Sequence, residues 1–327
     1  MLQFIIRRSL IALGTIWVVS IVSFTIIQLP PGDFLTTYSA NLRAMGEIAP
    51  EEQIQAMRDH YGLGQPIYIQ YFKWMRGVLQ GDFGRSLEWG VPVKVLLWDR
   101  MGLTVLVGLS SVIFVWTLAI PIGVFSATHQ YSLLDYCFTF LGFLGVAIPG
   151  FLMALVLMWV AFSAFGQNVG GLFSPEYQNA PWSVDRIIDL IKHLWIPMLI
   201  VGTEGTAGLI RTMRANMLDE MSQPYVETAR ARGLSERQLI WKYPVRVALN
   251  PFVSTVGYAL PQLVGGVVVV AVVLNLPTVG PLLLRALLSQ DMFMAGAIVM
   301  IISILTVIGT LISDILLAVL DPRIRLE

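Results

Sequence analysis

Six long apolar runs constrain the fold of this chain more than any other feature of its sequence. Each run approaches or exceeds the roughly 20 residues that a helix needs to cross the hydrocarbon core of a bilayer. Charged residues make up only 13% of the chain, whereas a soluble domain typically carries about 25%. The sequence therefore predicts an all-α integral membrane protein with six transmembrane helices, at residues 9–29, 103–127, 136–165, 194–210, 252–275 and 292–320.

The first apolar run follows Arg7 and Arg8, as the apolar core of a secretory signal peptide would. That core is usually about 7–15 residues long, which is shorter than the run over residues 9–29. An uncleaved first transmembrane helix is therefore the preferred interpretation.

The distribution of lysine and arginine predicts the orientation in the membrane. With the N-terminus inside, eleven basic residues fall in cytoplasmic segments and three in the short external ones. The long region after the first span is largely exempt from this rule. Both termini are therefore predicted to be cytoplasmic. The connecting segments are the cytoplasmic N-terminus 1–8, the external region 30–102, the external loop 166–193, the cytoplasmic loop 211–251, the external loop 276–291 and the cytoplasmic tail 321–327.

The predicted external region carries two helical patterns. Residues 51–61 fit an amphipathic helix, and residues 68–79 fit a second one with Tyr71, Phe72 and Trp74. Because aromatic side chains favour the membrane interface, these three are expected to lie along the membrane surface.

Residues 225–251 form a long polar run with a helical pattern between two apolar runs. Val226, Ala229 and Gly233 fall at positions i, i+3 and i+7, which gives a narrow face of small residues. Such a face predicts insertion into a groove on another protein. The alternative is a merely solvated loop between two membrane helices.

The same run has the signals of two short helices. Gly233 is predicted to end the first helix, and Ser235 with Gln238 predicts a capping box that opens the second. Glu227 and Arg230 lie at i and i+3, where an ion pair would give modest support.

These residues resemble a known motif. Glu227, Ala229 and Gly233 match the glutamate-alanine-alanine…glycine loop of importer permeases in the ATP-binding-cassette (ABC) transporters, with Thr228 in place of the first alanine. The longer string YVETARARGLSE is similar to the version in the dipeptide and oligopeptide permeases. The usual later Ile-x-Leu-Pro part is replaced by residues 243–246, Tyr-Pro-Val-Arg.

The resemblance extends over nearly the whole chain. The strings LPPGD at 29–33, YGLGQPIYIQYFKWMRGVLQGDFGRS at 61–86 and LDPRIR at 320–325 also follow the pattern of that family. Together they are far more specific than the loop motif alone.

Membership of that family would imply the type I ABC importer permease fold and a division of labour. The chain would pair with a second homologous permease subunit, two ATP-binding subunits that hold ATP and magnesium, and an external substrate-binding protein. The loop would transmit the movement of the ATP-binding subunits to the spans through Val226, Glu227, Ala229, Gly233 and Leu234. Short peptides are the preferred substrate, with oligosaccharides, nickel or glutathione as alternatives.

The sequence carries no catalytic or cofactor-binding pattern. No glycine-rich loop ends in Gly-Lys-Ser/Thr, and no His, Cys and carboxylate residues have metal-ligand spacing. Cys137 is the only cysteine, and the 21 basic and 21 acidic residues give no nucleic-acid signature. No enzymatic activity, catalytic residue, cofactor or metal is therefore expected of this chain itself, and its other contacts are with membrane lipid.

Two carboxylates interrupt the predicted spans, Glu204 and Asp314. A carboxylate at membrane depth should face protein or water. Glu204 with Thr203 and Thr206 is therefore a candidate for the wall of a substrate pathway, and a packing role is the alternative. Asp314 is expected to pair with Arg211 or Arg214. A proton-coupled secondary transporter is disfavoured, because it would need an ionisable relay and commonly two inverted halves.

Overall fold

The computed structural model describes residues 2–28, 35, 39, 43, 51–61, 64–86, 88–166, 170–178, 180–265 and 268–320. Over these residues the chain is helical, and its β-structure is limited to one isolated antiparallel bridge between Arg85 and Pro92. The all-α class is thus confirmed for the described residues. The helices are α1 (Leu2–Gln28), α2 (Glu51–Tyr61), α3 (Ile67–Leu79), α4 (Val93–Thr128), α5 (Leu133–Ala147), α6 (Gly150–Phe165), α7 (Val184–Met221), α8 (Pro224–Ala231), α9 (Glu236–Lys242), α10 (Pro244–Ala248), α11 (Asn250–Gly265), α12 (Val268–Val273), α13 (Val279–Leu288) and α14 (Met292–Leu320).

Three of the described helices, α1, α4 and α14, are long and apolar enough to cross a membrane, and the bent pair α5–α6 could count as a fourth span. The predicted spans at 194–210 and 252–275 lie in helices that do not meet this test alone. Helix α7 has charged residues toward both ends, and α11 ends at Gly265, before α12 begins. The six-span arrangement therefore stays a prediction.

The run over residues 136–165 is not one continuous helix, contrary to the sequence prediction. Helices α5 and α6 meet at an angle of 103°. Ile148, at the break, has an extended backbone with φ −89° and ψ 120°. A residue that precedes proline is disfavoured in the helical region, and Pro149 then sets the start of α6. The apolar composition hid this break, although the proline that causes it is visible in the sequence.

Two helices extend well beyond their predicted spans. Helix α4 begins at Val93, after Pro92, although the predicted span starts at residue 103. Helix α7 begins at Val184, with Ser183 as its N-cap, and it continues to Met221. The apolar runs therefore mark the middle of these helices and not their ends.

Glycines allow the long helices to pack closely. Helices α4 and α7 contact each other along much of their length. A Cβ placed on Gly123 of α4 would lie 2.5 Å from the Cβ of Met213 on α7. A Cβ on Gly257 of α11 would lie 3.2 Å from the backbone of Thr310 on α14. Small residues at membrane helix interfaces allow this approach of two backbones.

A buried carboxylate joins the segment before α4 to the start of α14. Asp291 is fully buried, and it accepts a hydrogen bond from the Ser86 hydroxyl at 2.5 Å. It also accepts from the backbone amides of Met294, at 3.1 Å, and Glu88, at 3.3 Å. We call these four residues the Asp291 cluster. It fixes part of the predicted external region onto the helix bundle.

The aromatic residues of α3 are divided between two environments. Tyr71 and Trp74 are buried against Phe24 of α1, and the Tyr71 hydroxyl lies 2.7 Å from that of Ser20. Phe72 is exposed on the opposite side. The predicted position along the membrane surface is therefore wrong for Tyr71 and Trp74, which belong to the core. For Phe72 it stays a prediction.

Candidate coupling loop and central cavity

Residues 222–249, which we call the coupling loop, contain the helix–glycine–helix that the sequence predicts. Helix α8 starts with Pro224 in its first turn, which suits the fixed φ of proline. Gly233 then has φ +81°, and helix α9 follows. Residues with a Cβ rarely adopt this backbone conformation, so glycine is the residue that the turn requires. No atom lies within 4 Å of the position that a Cβ would take there, so the constraint is conformational and not steric.

The small-residue face of α8 points into the loop and not toward a partner. Val226 and Ala229 are buried, and they form a small apolar cluster with Leu239 of α9, which Leu234 and Tyr243 border. The prediction that this face inserts into a groove on another protein is therefore wrong for Val226 and Ala229, whereas Gly233 is exposed. The prediction considered α8 alone. In the structure, Leu239 of α9 packs against Val226 and Ala229 and occupies the place that a partner protein would take.

The polar contacts of the turn also differ from the predicted ones. Arg230 pairs with Glu236 through two hydrogen bonds of 2.6 and 3.2 Å, and not with Glu227. Ser235 is the N-cap of α9, but its side chain makes no capping bond, so the predicted capping box with Gln238 is absent. Hydrogen bonding from Arg230 lowers the pKa of Glu236, against an opposing effect of desolvation and with a further contribution from the charge of Arg230.

Glu227, Gly233 and Trp241 are exposed on the coupling loop. Trp241 exposes 52% of its surface, and Leu234 is partly buried at the edge of the cluster. Sequence reasoning missed Trp241. The signal was available in the sequence. Residues two positions apart on a helix point about 200° apart, so if Leu239 is buried, Trp241 faces solvent.

The coupling loop is connected to the bundle through α10. Val245 and Ala248 are buried in a cluster with Met213 and Met217 of α7 and with Phe252 of α11. A displacement of the loop would therefore act on α7 and α11 through apolar contacts as well as through the chain itself.

Two ion pairs between helices were not predicted from the sequence. Asp314 pairs with Arg8 at 3.3 Å, and not with Arg211 or Arg214. Arg214 instead binds Asp135, at the start of α5, at 3.2 Å. Sequence separation gave no signal for either pair, because each depends on which helices are neighbours.

A central cavity of about 300 Å³ lies between α4, α7 and α11. Its wall is made mostly of small and apolar residues, with a few polar groups: Gly108, Ser111, Val112, Val115, Trp116, Val201, Gly205, Gly208, Leu209, Thr255 and Gln262. Small side chains leave this space open between helices that otherwise pack closely.

The predicted pathway residues are distributed around α7. Thr203 packs toward α5, since a Cβ on Gly145 would lie 2.3 Å from its methyl group. The hydroxyls of Thr203 and Thr206 donate to backbone carbonyls of their own helix, at 2.6 Å each, and neither residue lines the central cavity. The side chain of Glu204 lies outside the described residues. Its helical position falls between cavity-lining residues of α7.

The chain matches a known family over most of its length. Residues 119–326 match the family described as the binding-protein-dependent transport system inner membrane component, and residues 1–107 match its N-terminal region. The chain therefore belongs to this family, and it is a multi-pass inner membrane protein.

Individual relatives align with almost the whole chain. It is 38% identical to the oligopeptide transport system permease protein AppB of Bacillus subtilis, over 99% of this chain and 100% of that protein. It is 28% identical to the dipeptide transport system permease protein DppB of Alkalihalophilus pseudofirmus, over 99% and 100%. Identity to the DppB of Escherichia coli is 27%, over 99% of each chain.

Proposed function

We propose that this chain is the permease subunit of an ATP-driven ABC importer of short peptides. The observation that carries this proposal is the match over 99% of the chain to relatives from three organisms, all named as oligopeptide or dipeptide transport permeases. Oligosaccharides, nickel and glutathione remain the alternative cargoes of the same machinery. The chain forms half of the substrate pathway.

Six spans fit the helices when the broken ones are counted as crossings. These are α1, α4, the bent pair α5–α6, α7, the pair α11–α12, and α14, in the type I importer permease arrangement. The count of basic residues supports cytoplasmic termini. In a Cys137→Ser background, a cysteine at Glu52 should react with an impermeant external thiol reagent, and a cysteine at Gln238 should not. The reverse labelling pattern would contradict this orientation.

The work of transport is divided among several chains in this proposal. A second permease subunit completes the pathway, two ATP-binding subunits hold ATP and magnesium, and an external binding protein delivers the cargo. This chain supplies no catalytic residue, and the energy for transport comes from the ATP-binding subunits.

The coupling loop docks on an ATP-binding subunit through its exposed residues. Glu227, Gly233 and Trp241 are exposed, and a half-exposed tryptophan is the kind of residue that anchors protein interfaces. Val226, Ala229 and Leu234 act indirectly, because they hold α8 against α9. Movement of the docked loop then passes through α10 to α7 and α11.

The central cavity is part of the pathway, and Glu204 belongs to its wall. The proposal is supported by the helical position of Glu204 among the lining residues of α7. Glu204→Gln should change the rate of transport per assembled complex and leave the yield of the complex unchanged. A loss of thermal stability with normal transport would instead assign Glu204 to packing, which is the role that Thr203 has here.

Transport by the reconstituted complex tests the function. The four-subunit membrane complex in proteoliposomes, supplied with its binding protein and with internal ATP, should accumulate labelled Ala-Ala. It should not accumulate maltotriose, nickel or glutathione. Accumulation of one of these in place of the dipeptide would contradict the peptide function. Accumulation driven by a proton gradient without ATP would contradict the importer class.

A further inference from the structure

A second cavity of about 300 Å³ lies near the N-terminal ends of α4 and α7. Its walls come from these helices, from the loop after α6 and from the connection between α12 and α13. We call it the polar cavity, because five of its lining residues are charged or carry an amide: Asp99, Arg100, Gln178, Arg186 and Asn275. Pockets for small ligands begin at about this volume, and a few polar groups orient the ligand.

Two opposite charges in the polar cavity have no partner in the described part of the chain. Neither the Asp99 carboxylate nor the Arg100 guanidinium forms a hydrogen bond or an ion pair there. Consecutive helical residues lie about 100° apart, so the two groups reach the same space from different sides of α4. A ligand with both a positive and a negative group would complement them.

The second arginine has a different role, because it builds the wall. The Arg186 guanidinium lies 4.6 Å from the ring centre of Phe173 and 4.5 Å from that of Trp182. It also donates to the carbonyl of Ala180 and, at 3.2 Å, to that of Gln178. These contacts hold the loop after α6 in place. The buried Arg186 Nε also lacks a hydrogen-bond partner in the described part of the chain, whereas the whole guanidinium of Arg100 is left for a ligand.

A small cavity lies between the polar cavity and the central cavity and shares one wall residue with each. Leu276 lines the polar cavity and also a small apolar cavity of about 20 Å³ between α4, α7 and α12. Val201 lines that small cavity and the central cavity. The polar cavity is therefore a near neighbour of the proposed pathway, which favours a transported molecule over a docked protein as its occupant.

We propose that the polar cavity binds a short zwitterionic peptide, with Arg100 holding the peptide carboxylate and Asp99 its ammonium group. This inference rests on the proposed peptide-import function and deepens it. A guanidinium and a carboxylate form paired charge-assisted hydrogen bonds, and neutral oligosaccharides offer neither charge. The site would be a first contact for the peptide after its release from the binding protein.

Direct binding to the permease complex tests this site without the binding protein. Labelled Ala-Ala is equilibrated with the complete membrane complex in nanodiscs, and N-acetyl-Ala-Ala and Ala-Ala-amide serve as competitors. Arg100→Gln should weaken the binding of Ala-Ala and N-acetyl-Ala-Ala about tenfold and leave the amide unchanged. Asp99→Asn should weaken Ala-Ala and leave the acetylated peptide unchanged. Lys94→Gln, exposed on the same helix outside the cavity, is the matched control and should bind all three peptides normally.

The outcomes separate this proposal from the one on which it rests. Normal uptake of Ala-Ala, together with equal binding by the wild type and by Arg100→Gln, would overturn the site and leave peptide import standing. Weaker association of the binding protein with Arg100→Gln, without any change in peptide binding, would also overturn it and make the cavity a docking surface. Failure of the wild type to take up Ala-Ala would contradict peptide import itself, and with it the zwitterionic ligand.

Discussion

The Asp291 cluster and the coupling loop are held together by different kinds of interaction. The cluster is built around a fully buried carboxylate, which one hydroxyl and two backbone amides satisfy. The coupling loop is held by a small apolar cluster and by an exposed Arg230–Glu236 pair, and it leaves Trp241 half exposed. The first region is complete within this chain. The second presents a surface that a partner can cover, which agrees with its proposed role.

The largest expected effect on stability is at the Asp291 cluster. Asp291→Ala removes the acceptor for the Ser86 hydroxyl and for the amides of Glu88 and Met294, all close to the buried start of α14. Buried donors without an acceptor are costly, so we expect the free energy of unfolding to fall by about 3 kcal/mol. Thermal unfolding of the purified complex measures this.

Asp291→Asn is the matched control for that change. It keeps one oxygen acceptor at nearly the same volume and should recover part of the loss. Equal stability of Asp291→Ala and the wild type would show that the Asp291 cluster does not stabilise the chain, and would remove its contrast with the coupling loop.

A smaller effect is expected where α4 packs on α7. Gly123→Ala places a Cβ against Met213, and overpacking of this kind costs about 1–3 kcal/mol. Gly102→Ala, near the other end of α4, meets open space and should be neutral or slightly stabilising. Thermal unfolding of the two variants compares both ends of one helix. Equal stabilities would argue against close α4–α7 packing.

The smallest effect is expected at the Arg230–Glu236 pair. Both side chains are exposed, and such pairs contribute little. Because Arg230 lowers the pKa of Glu236, the contribution is complete above the ordinary glutamate pKa and is lost as the pH falls through the lowered value. Thermal unfolding of Arg230→Gln should therefore match the wild type near pH 7. A large loss there would mean that the pair, and not the apolar cluster, holds the coupling loop.

The sequence predicted local helices and turns better than it predicted which helices contact each other. The two short helices and the glycine between them follow from residues 224–242 alone, and the structure has them. The direction of the Val226 and Ala229 face depends on Leu239, which a reading of one helix does not include. The break at Pro149 shows the same limit, because composition counts apolar residues and is insensitive to where the backbone turns.

Long-range polar contacts lay beyond sequence reasoning for a physical reason. Asp291 and Ser86 are far apart in the chain, and only the packing of α14 against the segment before α4 brings them together. The same is true of Asp314 with Arg8. The cavities are also created by packing, so no pattern in the sequence brings Asp99 and Arg100 together with Gln178, Arg186 and Asn275.

Gly233 provides the sharpest test of the coupling loop. Its φ of +81° disfavours a β-branched residue, at a cost of about 1–2 kcal/mol, whereas asparagine tolerates this region better. The measurement is co-purification of the ATP-binding subunits with the membrane-inserted permease, together with ATP-driven uptake of Ala-Ala. Gly233→Val should insert in the membrane normally but lose association and uptake by about tenfold, and Gly233→Asn should keep both near wild type. Normal association and normal uptake in Gly233→Val would contradict the coupling role and leave residues 222–249 as an ordinary connection between helices.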